Sequence, residues 1–252
     1  CTDSLALNYD SLAIVDDGSC CFPFSLIAEG FSSDSLSSAY VTLNFNGNVL
    51  AATGINKVKI FEKINSNWIQ IGQDIIGESP FDDFGYSTSL NYSGSKVAIG
   101  ATSNDGNGTS SGHVRVYENI SGSWIQIGAD IDGESVYDMS GMSVSLNQDG
   151  TIVAVGAPLN DGNGLESGHV RVFEDISGQW IQRGQDIDGE DFHNWFGHSV
   201  SLSSDGNILA VGAPYNDANG FQNSGHVRVF EYISGSWTQV GLDIEGTHNS
   251  YF

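Results

Sequence analysis

Apolar and polar residues alternate in short runs along most of this 252-residue chain, and no long segment carries a helical period. In the best-preserved stretch Ser199-Val200-Ser201-Leu202 alternates, Asp205-Gly206 turns the chain, and Ile208-Leu209-Ala210-Val211-Gly212 follows. A Gly/Asn-rich loop leads to an alternating run from His226 to Glu231, then a turn at Ser234-Gly235 and a last run, Trp237-Thr238-Gln239-Val240. A period of two, bounded by turn residues, predicts four short antiparallel strands joined by hairpins. The unit recurs. Ser111-Gly112-His113-Val114-Arg115-Val116-Tyr117-Glu118 returns as Ser167 to Glu174 and as Ser224 to Glu231, so that His113, His169 and His226 stand 56 and 57 residues apart. Trp68, Trp124, Trp180 and Trp237 keep the same beat.

A period of this length means a repeat array in which each unit buries its apolar face against its neighbours. Four-stranded sheets repeated about an axis are propeller blades, so the predicted fold is all-β, a β-propeller of four-stranded antiparallel blades. The blades fall at about 37–77, 84–134, 140–190 and 196–246, and Tyr251-Phe252 marks the start of a fifth. The first blade is shorter because Gly54-Ile55-Asn56-Lys57 replaces the long loop. An open ring would leave apolar sheet faces and raw edges bare. The four blades are therefore expected to be part of a larger ring that continues past Phe252. The start at Cys1 instead of Met marks the chain as a processed or excised piece.

Charge narrows the partners. Against 31 Asp and Glu stand 8 Lys and Arg, a net charge of -23. Such a field repels phosphate backbones and attracts cations, which argues against nucleic acid. No run of about 18 apolar residues occurs, so no transmembrane segment is expected. The 27 aromatic residues, many of them in register, argue against disorder.

Residues 1–21 differ from the rest. They form a polar, acidic stretch with cysteines at both ends, too small for its own core, and residues 22–36 read as linker around Ser32, Ser33, Asp34 and Ser35. Cys1-Thr2-Asp3, Ala6-Leu7-Asn8-Tyr9 and Asp16 to Cys20 resemble a short module of secreted proteins with the pattern C-T-D, A-x-N-Y, D-D-G-S-C. The resemblance implies a Cys1–Cys20 disulfide in preference to lipid attachment at Cys1. It leaves Cys21 over and places the protein in an oxidising compartment, secreted or at the cell surface. Asp3, Asn8, Asp10, Asp16 and Asp17 are either Ca²⁺ ligands or turn formers.

Phe84-Gly85 and Phe196-Gly197 opening a blade, with Gly156-Ala157-Pro158 and Gly212-Ala213-Pro214 ending a second strand, resemble the FG-GAP repeat of integrin-type β-propellers. Blade two departs with Gly100-Ala101-Thr102 and blade three with Ser140-Gly141. Members of that family hold Ca²⁺ between the first two strands. The equivalent turns here, Asn46-Gly47, Ser93-Gly94, Asp149-Gly150 and Asp205-Gly206, offer at most one carboxylate each and read as plain hairpins.

Calcium remains the candidate cofactor at another place, the loop between strands two and three. Asp105 and Asn107, Asp161 and Asn163, and Asp217 and Asn219 are its candidate ligands there, and they are equally good formers of left-handed turns. A second acidic group, Asp130 to Glu134 with Asp138, echoed by Asp186 to Glu190 and by Asp74, Glu78 and Asp82, lies where one blade passes to the next and is read as structural, capping the following strand or bridging blades. Arg115, Arg171 and Arg228 share a strand face with the repeated histidines, where ion pairs or an anion-binding ring would form. Near-identical blades dilute the single asymmetric site that catalysis needs. The expected function is accordingly a non-catalytic extracellular repeat protein for adhesion or surface scaffolding, not an enzyme, with another surface protein or a glycan as partner. The alternatives are a carbohydrate-binding propeller using Trp68, Trp124, Trp180 and Trp237, and a polysaccharide-active enzyme using Glu134 and Asp138.

Overall fold

The computed structural model describes residues 40–217 and 221–246. Contacts divide the chain into two units, Cys1–Asp34 with Lys63–Ile69, and Ser35–Glu62 with Gln70–Phe252. Apart from residues 63–69, the sheets belong to the second. Cys1, Cys20, the linker, Asn219 and the start of a fifth blade lie outside the described residues.

Four antiparallel sheets follow one another along the chain, as the period of two required. Blade 1 holds β1 (Val41–Leu43), β2 (Val49–Gly54), β3 (Lys57–Ile64), β4 (Asn67–Gln70) and β5 (Ile75–Ile76). Blade 2 holds β6 (Phe84–Leu90), β7 (Lys96–Ala101), β8 (His113–Ile120), β9 (Ser123–Gln126) and β10 (Ile131–Asp132). Blade 3 holds β11 (Ser143–Leu146), β12 (Ile152–Ala157), β13 (His169–Asp175), β14 (Trp180–Gln182) and β15 (Ile187–Asp188). Blade 4 holds β16 (Ser199–Leu202), β17 (Ile208–Ala213), β18 (His226–Ile233), β19 (Ser236–Gln239) and β20 (Ile244–Glu245).

The expected fourth strand is split in two. In blade 3, β14 pairs with the end of β13 (Phe173 opposite Gln182) and β15 with its start (His169 opposite Asp188). A short bulge with left-handed Gly184 separates them. A side-chain bond closes each bulge: Gln70 to Asp74 (2.8 Å), Gln126 to Asp130 (2.7 Å), Gln182 to Asp186 (2.6 Å) and Gln239 to Asp243 (2.6 Å).

Three cores fill the three seams between successive blades, so the burial is between sheets and not within any one of them. Val49, Ala51, Val58, Ile60 and Ile75 of blade 1 meet Phe84, Val97, Ile99 and Trp124 of blade 2. Val114, Val116 and Ile131 of blade 2 meet Leu146, Val153, Val155 and Phe173 of blade 3. Val170, Val172 and Ile187 of blade 3 meet Phe196, Leu209, Val211 and Trp237 of blade 4. The third strand thus turns its valines toward the following blade and its His, Arg and aromatic residue toward the preceding one.

The glycines at the seam have a steric cause. A β-carbon on Gly156 would collide with the carbonyl oxygen of Gly197, and one on Gly100 with that of Gly141. The second strand of one blade and the opening turn of the next approach with no room for a side chain.

Candidate functional site

The register places the loop between strands two and three, the start of strand three and the blade-to-blade crossover on one end of every sheet. Ala157 faces His169 and His169 faces Asp188, while Ser199 of the next blade opens opposite Gly212. The acidic groups singled out in the sequence gather on that end.

The seam carries a repeated polar cluster. In blade 2 the Arg115 guanidinium donates to both oxygens of Asp130 (2.8 and 2.6 Å) and pairs with Glu78 of blade 1. Arg171 donates to Glu134 (3.3 Å) and to the Asp132 carbonyl (2.5 Å), both in blade 2. Arg228 turns aside to Gln239 (3.0 and 2.8 Å) and stands 3.5 Å from Glu190. The pairs of Arg115 with Glu78, Arg171 with Glu134 and Arg228 with Glu190 run from one blade to the preceding one, while Asp130 and Gln239 hold their arginines within a blade. Glu78-His113-Asp130, Glu134-His169-Asp186 and Glu190-His226-Asp243 each bring one ligand atom per residue within 4.8 Å of the others. A guanidinium beside each trio already supplies the opposing charge.

The cluster sets the ionisation of its members. The Arg115 hydrogen bond holds Glu78 below its ordinary value. Burial would raise Asp130, but bonds from Arg115 and Gln126 outweigh it and the pKa falls. Burial, helped by Arg171, pushes His169 down to about 4, and burial lowers His113 and His226 as well. The three histidines are therefore neutral at pH 7.

The candidate calcium ligands form the loops between strands two and three. Asp105 Oδ1 accepts the Ser110 amide (2.8 Å), Asp161 Oδ1 the Glu166 amide (2.8 Å) and Asp217 Oδ1 the Asn223 amide (2.8 Å). Asn107 and Asn163 donate across to the carbonyls of Gly133 (2.9 Å) and Gly189 (2.8 Å). Each loop is held by its own Asx side chains. Asp138 is buried, accepts from Asn160 (3.0 Å) and the Ser135 amide (2.9 Å), and has its pKa raised by burial.

The repeated tryptophans pack at the seams. Trp124, Trp180 and Trp237 donate their indole N–H to the carbonyls of Ile71 (2.8 Å), Ile127 (3.0 Å) and Arg183 (2.8 Å) of the preceding blade. Trp124 and Trp237 are buried in this way and are not stacking platforms for a sugar, whereas Trp68 and Trp180 are half-buried.

Between blades 3 and 4 the repeat keeps its backbone and changes its side chains. Ser110, Tyr137 and Met139 share a left-handed backbone with their counterparts 56 residues on, Glu166, His193 and Trp195. Non-glycine residues with positive φ are costly, and a fixed frame that changes its side chains is where a site is expected. Glu166 Oε2 lies 3.0 Å from His193 Nδ1 and accepts the Trp195 indole N–H at 3.0 Å. The Trp195 and His193 bonds lower the Glu166 pKa. A carboxylate only accepts, so the His193 Nδ1 that faces it carries a proton and Nε2 is the ring nitrogen turned away from Glu166.

Trp195 meets Tyr215 edge-on (centroids 4.7 Å apart, 77°). Beside this group lies a cavity of about 230 Å³ lined by Asp191, His193, Asn194, Tyr215, Asn216 and Asp217 among others. Asn194 stands where blades 1 and 2 end in Asp82 and Asp138. It is 4 % exposed, and its buried Nδ2 has no hydrogen-bond partner. At this repeat position Asp82 and Asp138 accept from Asn104 and Asn160, a role an amide donor cannot take over.

Sequence reasoning passed over Glu166, His193, Asn194 and Trp195 because it followed what the repeat conserves. The signal was in the positions that keep the period and change the residue.

The FG-GAP repeat family matches residues 129–173 and 187–230. No curated protein matches the sequence. Solved structures share the fold. A protein of Bacteroides uniformis named as a 6-phosphogluconolactonase superposes with a TM-score of 0.58 at 14 % identity, covering 83 % of this chain and 56 % of its own. One of the same name from Bacteroides fragilis gives 0.56 at 17 %, covering 82 % and 54 %. The periplasmic gluconolactonase of Pseudomonas aeruginosa gives 0.54 at 16 %, covering 84 % and 55 %. The chain spans about half the length of these proteins, and at such identity the likeness is one of fold.

These neighbours correct the expected function. Repetition of blades was the ground for a non-catalytic adhesion or scaffolding protein and for excluding an enzyme. Propellers of the same fold carry lactonase names. Repetition therefore does not exclude catalysis, and the expectation is withdrawn.

Proposed function

We propose that this propeller hydrolyses a small sugar-derived ester, a lactone being the simplest. The observation that carries the reading is the Glu166–His193 pair beside a cavity, at the seam where the repeat changes its side chains. The names of the fold neighbours lend it a substrate class. A secreted or cell-surface setting is part of the same proposal.

In this reading Glu166, kept ionised by Trp195 and His193, orients the imidazole and stabilises it once protonated. His193 Nε2 takes a proton from water as the water oxygen bonds to the acyl carbon. The ring C–O bond then breaks and the proton passes from His193 to the leaving oxygen, giving the hydroxy acid. The edge-on Trp195 and Tyr215 rings offer apolar surface to the face of a sugar-sized ring.

The test is lactone opening by the whole chain, followed by titration of released acid with gluconolactone as probe. Acceleration above the spontaneous rate, reduced about 10²-fold in His193→Gln and Glu166→Gln, is expected. No acceleration, or variants as fast as the parent, would overturn the reading.

A further inference from the structure

The cavity beside His193 is acidic and has no cation on its wall. Ser110 and Ser135 give way, 56 residues on, to Glu166 and Asp191, while the buried Asp138 gives way to Asn194. Carboxylates thus move from a buried position toward the surface, and Asp217 joins them from the loop between β17 and β18. One oxygen of Asp191 accepts the Phe192 amide and one of Asp217 the Asn223 amide (2.8 Å each). The second oxygen of each bonds to no described residue. Glu166 stands ionised beside them.

Every cation of the chain is engaged or placed elsewhere. All eight Lys and Arg lie among the described residues. Lys57, Lys59 and Lys63 belong to blade 1, and Lys96 and Arg115 to blade 2. Arg171 turns to Glu134 and the Asp132 carbonyl of blade 2. Arg183 is spent on the Gly206 carbonyl (2.5 Å) and Asn207 (2.7 Å), at the hairpin end of blade 4 opposite the cavity. Arg228 lies two residues along β18 from His226, donates to Gln239 and the Asp188 carbonyl, and packs its guanidinium over Phe196 at 5.4 Å. None of the eight lines the cavity.

Phosphate and carboxylate groups are recognised by cationic or strongly donating side chains. A cleft walled by charges of one sign focuses its field on whatever enters, and like charge is the usual means of rejection. The remaining wall is apolar. Phe192 replaces Val136, is 61 % exposed and meets His193 edge-on (5.6 Å, 79°), and Tyr215 replaces Leu159. We infer that this site, on the hydrolytic reading above, takes the uncharged lactone of a single sugar and turns away lactones that bear a phosphate or a free carboxylate. About 230 Å³ holds one such ring.

The test sets gluconolactone against its 6-phosphate on the whole chain, as rates of opening above the spontaneous rate. In parallel, calorimetry measures binding of the two corresponding lactams, which resist opening. The phosphorylated member of each pair is expected to be at least about tenfold poorer in kcat/KM and in affinity at low salt. Added salt should narrow that difference by screening the carboxylates and leave the neutral lactam unmoved. A double variant, Asp191→Asn with Asp217→Asn, keeps the acceptors for both loop amides and should narrow the difference at every salt concentration; circular dichroism checks its fold. A neutral lactam that binds while neither lactone opens would remove the hydrolytic reading and uphold the selection by charge. A phosphorylated lactam that binds as well as the neutral one, a difference that neither salt nor the double variant moves, or failure of both lactams to bind would each overturn the inference.

Discussion

Gly156 of blade 3 and Gly197 of blade 4 face each other across the seam so closely that a β-carbon on the first would strike the carbonyl oxygen of the second. Gly156→Ala is therefore expected to destabilise the fold by about 1–3 kcal/mol, the usual cost of overpacking. Gly212→Ala, at the same repeat position without a described blade against it, should cost clearly less. Paired thermal melts check this, and equal losses would contradict the seam account.

Removing Arg115 leaves Asp130 and the partly exposed Glu78 without their cation. Arg115→Met is expected to cost about 2 kcal/mol, the range of hydrogen bonds to charged groups. Arg228→Met should cost less, because Arg228 bonds mainly to neutral Gln239. Denaturant midpoints of the two variants give the comparison.

Stability should fall in two stages on acidification. His169 has a folded pKa of about 4 against an ordinary 6.5, so the unfolded chain binds the proton first. Its contribution is complete above about pH 6.5 and is lost as the pH falls through about 4. Glu78 and Asp130, also lowered, contribute fully above their unfolded values and lose that contribution at still lower pH. Urea titrations across this range check the order, and His169→Gln should flatten the first stage.

Trp195→Phe keeps the ring and deletes the indole donor to Glu166. The carboxylate pKa should rise toward its ordinary 4.5, as followed by carbon NMR of the glutamate side chains. An unmoved titration would mean that His193 alone holds the charge.

Millimolar Ca²⁺ is expected to move the melting temperature little. Asp105, Asp161 and Asp217 each spend one oxygen on a loop amide, and Asn107 and Asn163 turn their amides to carbonyls. Too few free oxygens remain for a shell of six to eight. A large upward shift would make those loops calcium sites.

Much of the fold was legible before any coordinates because one unit is written several times. The alternation of Val114 and Val116 with His113 and Arg115 gave the two faces of the third strand. The split in the fourth strand was not legible, since Gln182 and Asp186 look like ordinary polar residues until their bond closes a bulge. The candidate site was hidden for another reason. Glu166, His193 and Trp195 occupy the left-handed positions of Ser110, Tyr137 and Met139, and only the loop geometry brings 166 beside 193 and 195.

Because the buried cores lie between blades and not inside them, an isolated blade owns no core of its own. Among the described residues three seams join four blades, and blades 2 and 3 are each held on both faces. Loss of one seam should then loosen its two neighbouring blades together, with amide exchange slow in β8 and β13, whose valines are buried in a seam. On that view the residues at 166, 193 and 195 depend for their placement on the seam between blades 3 and 4.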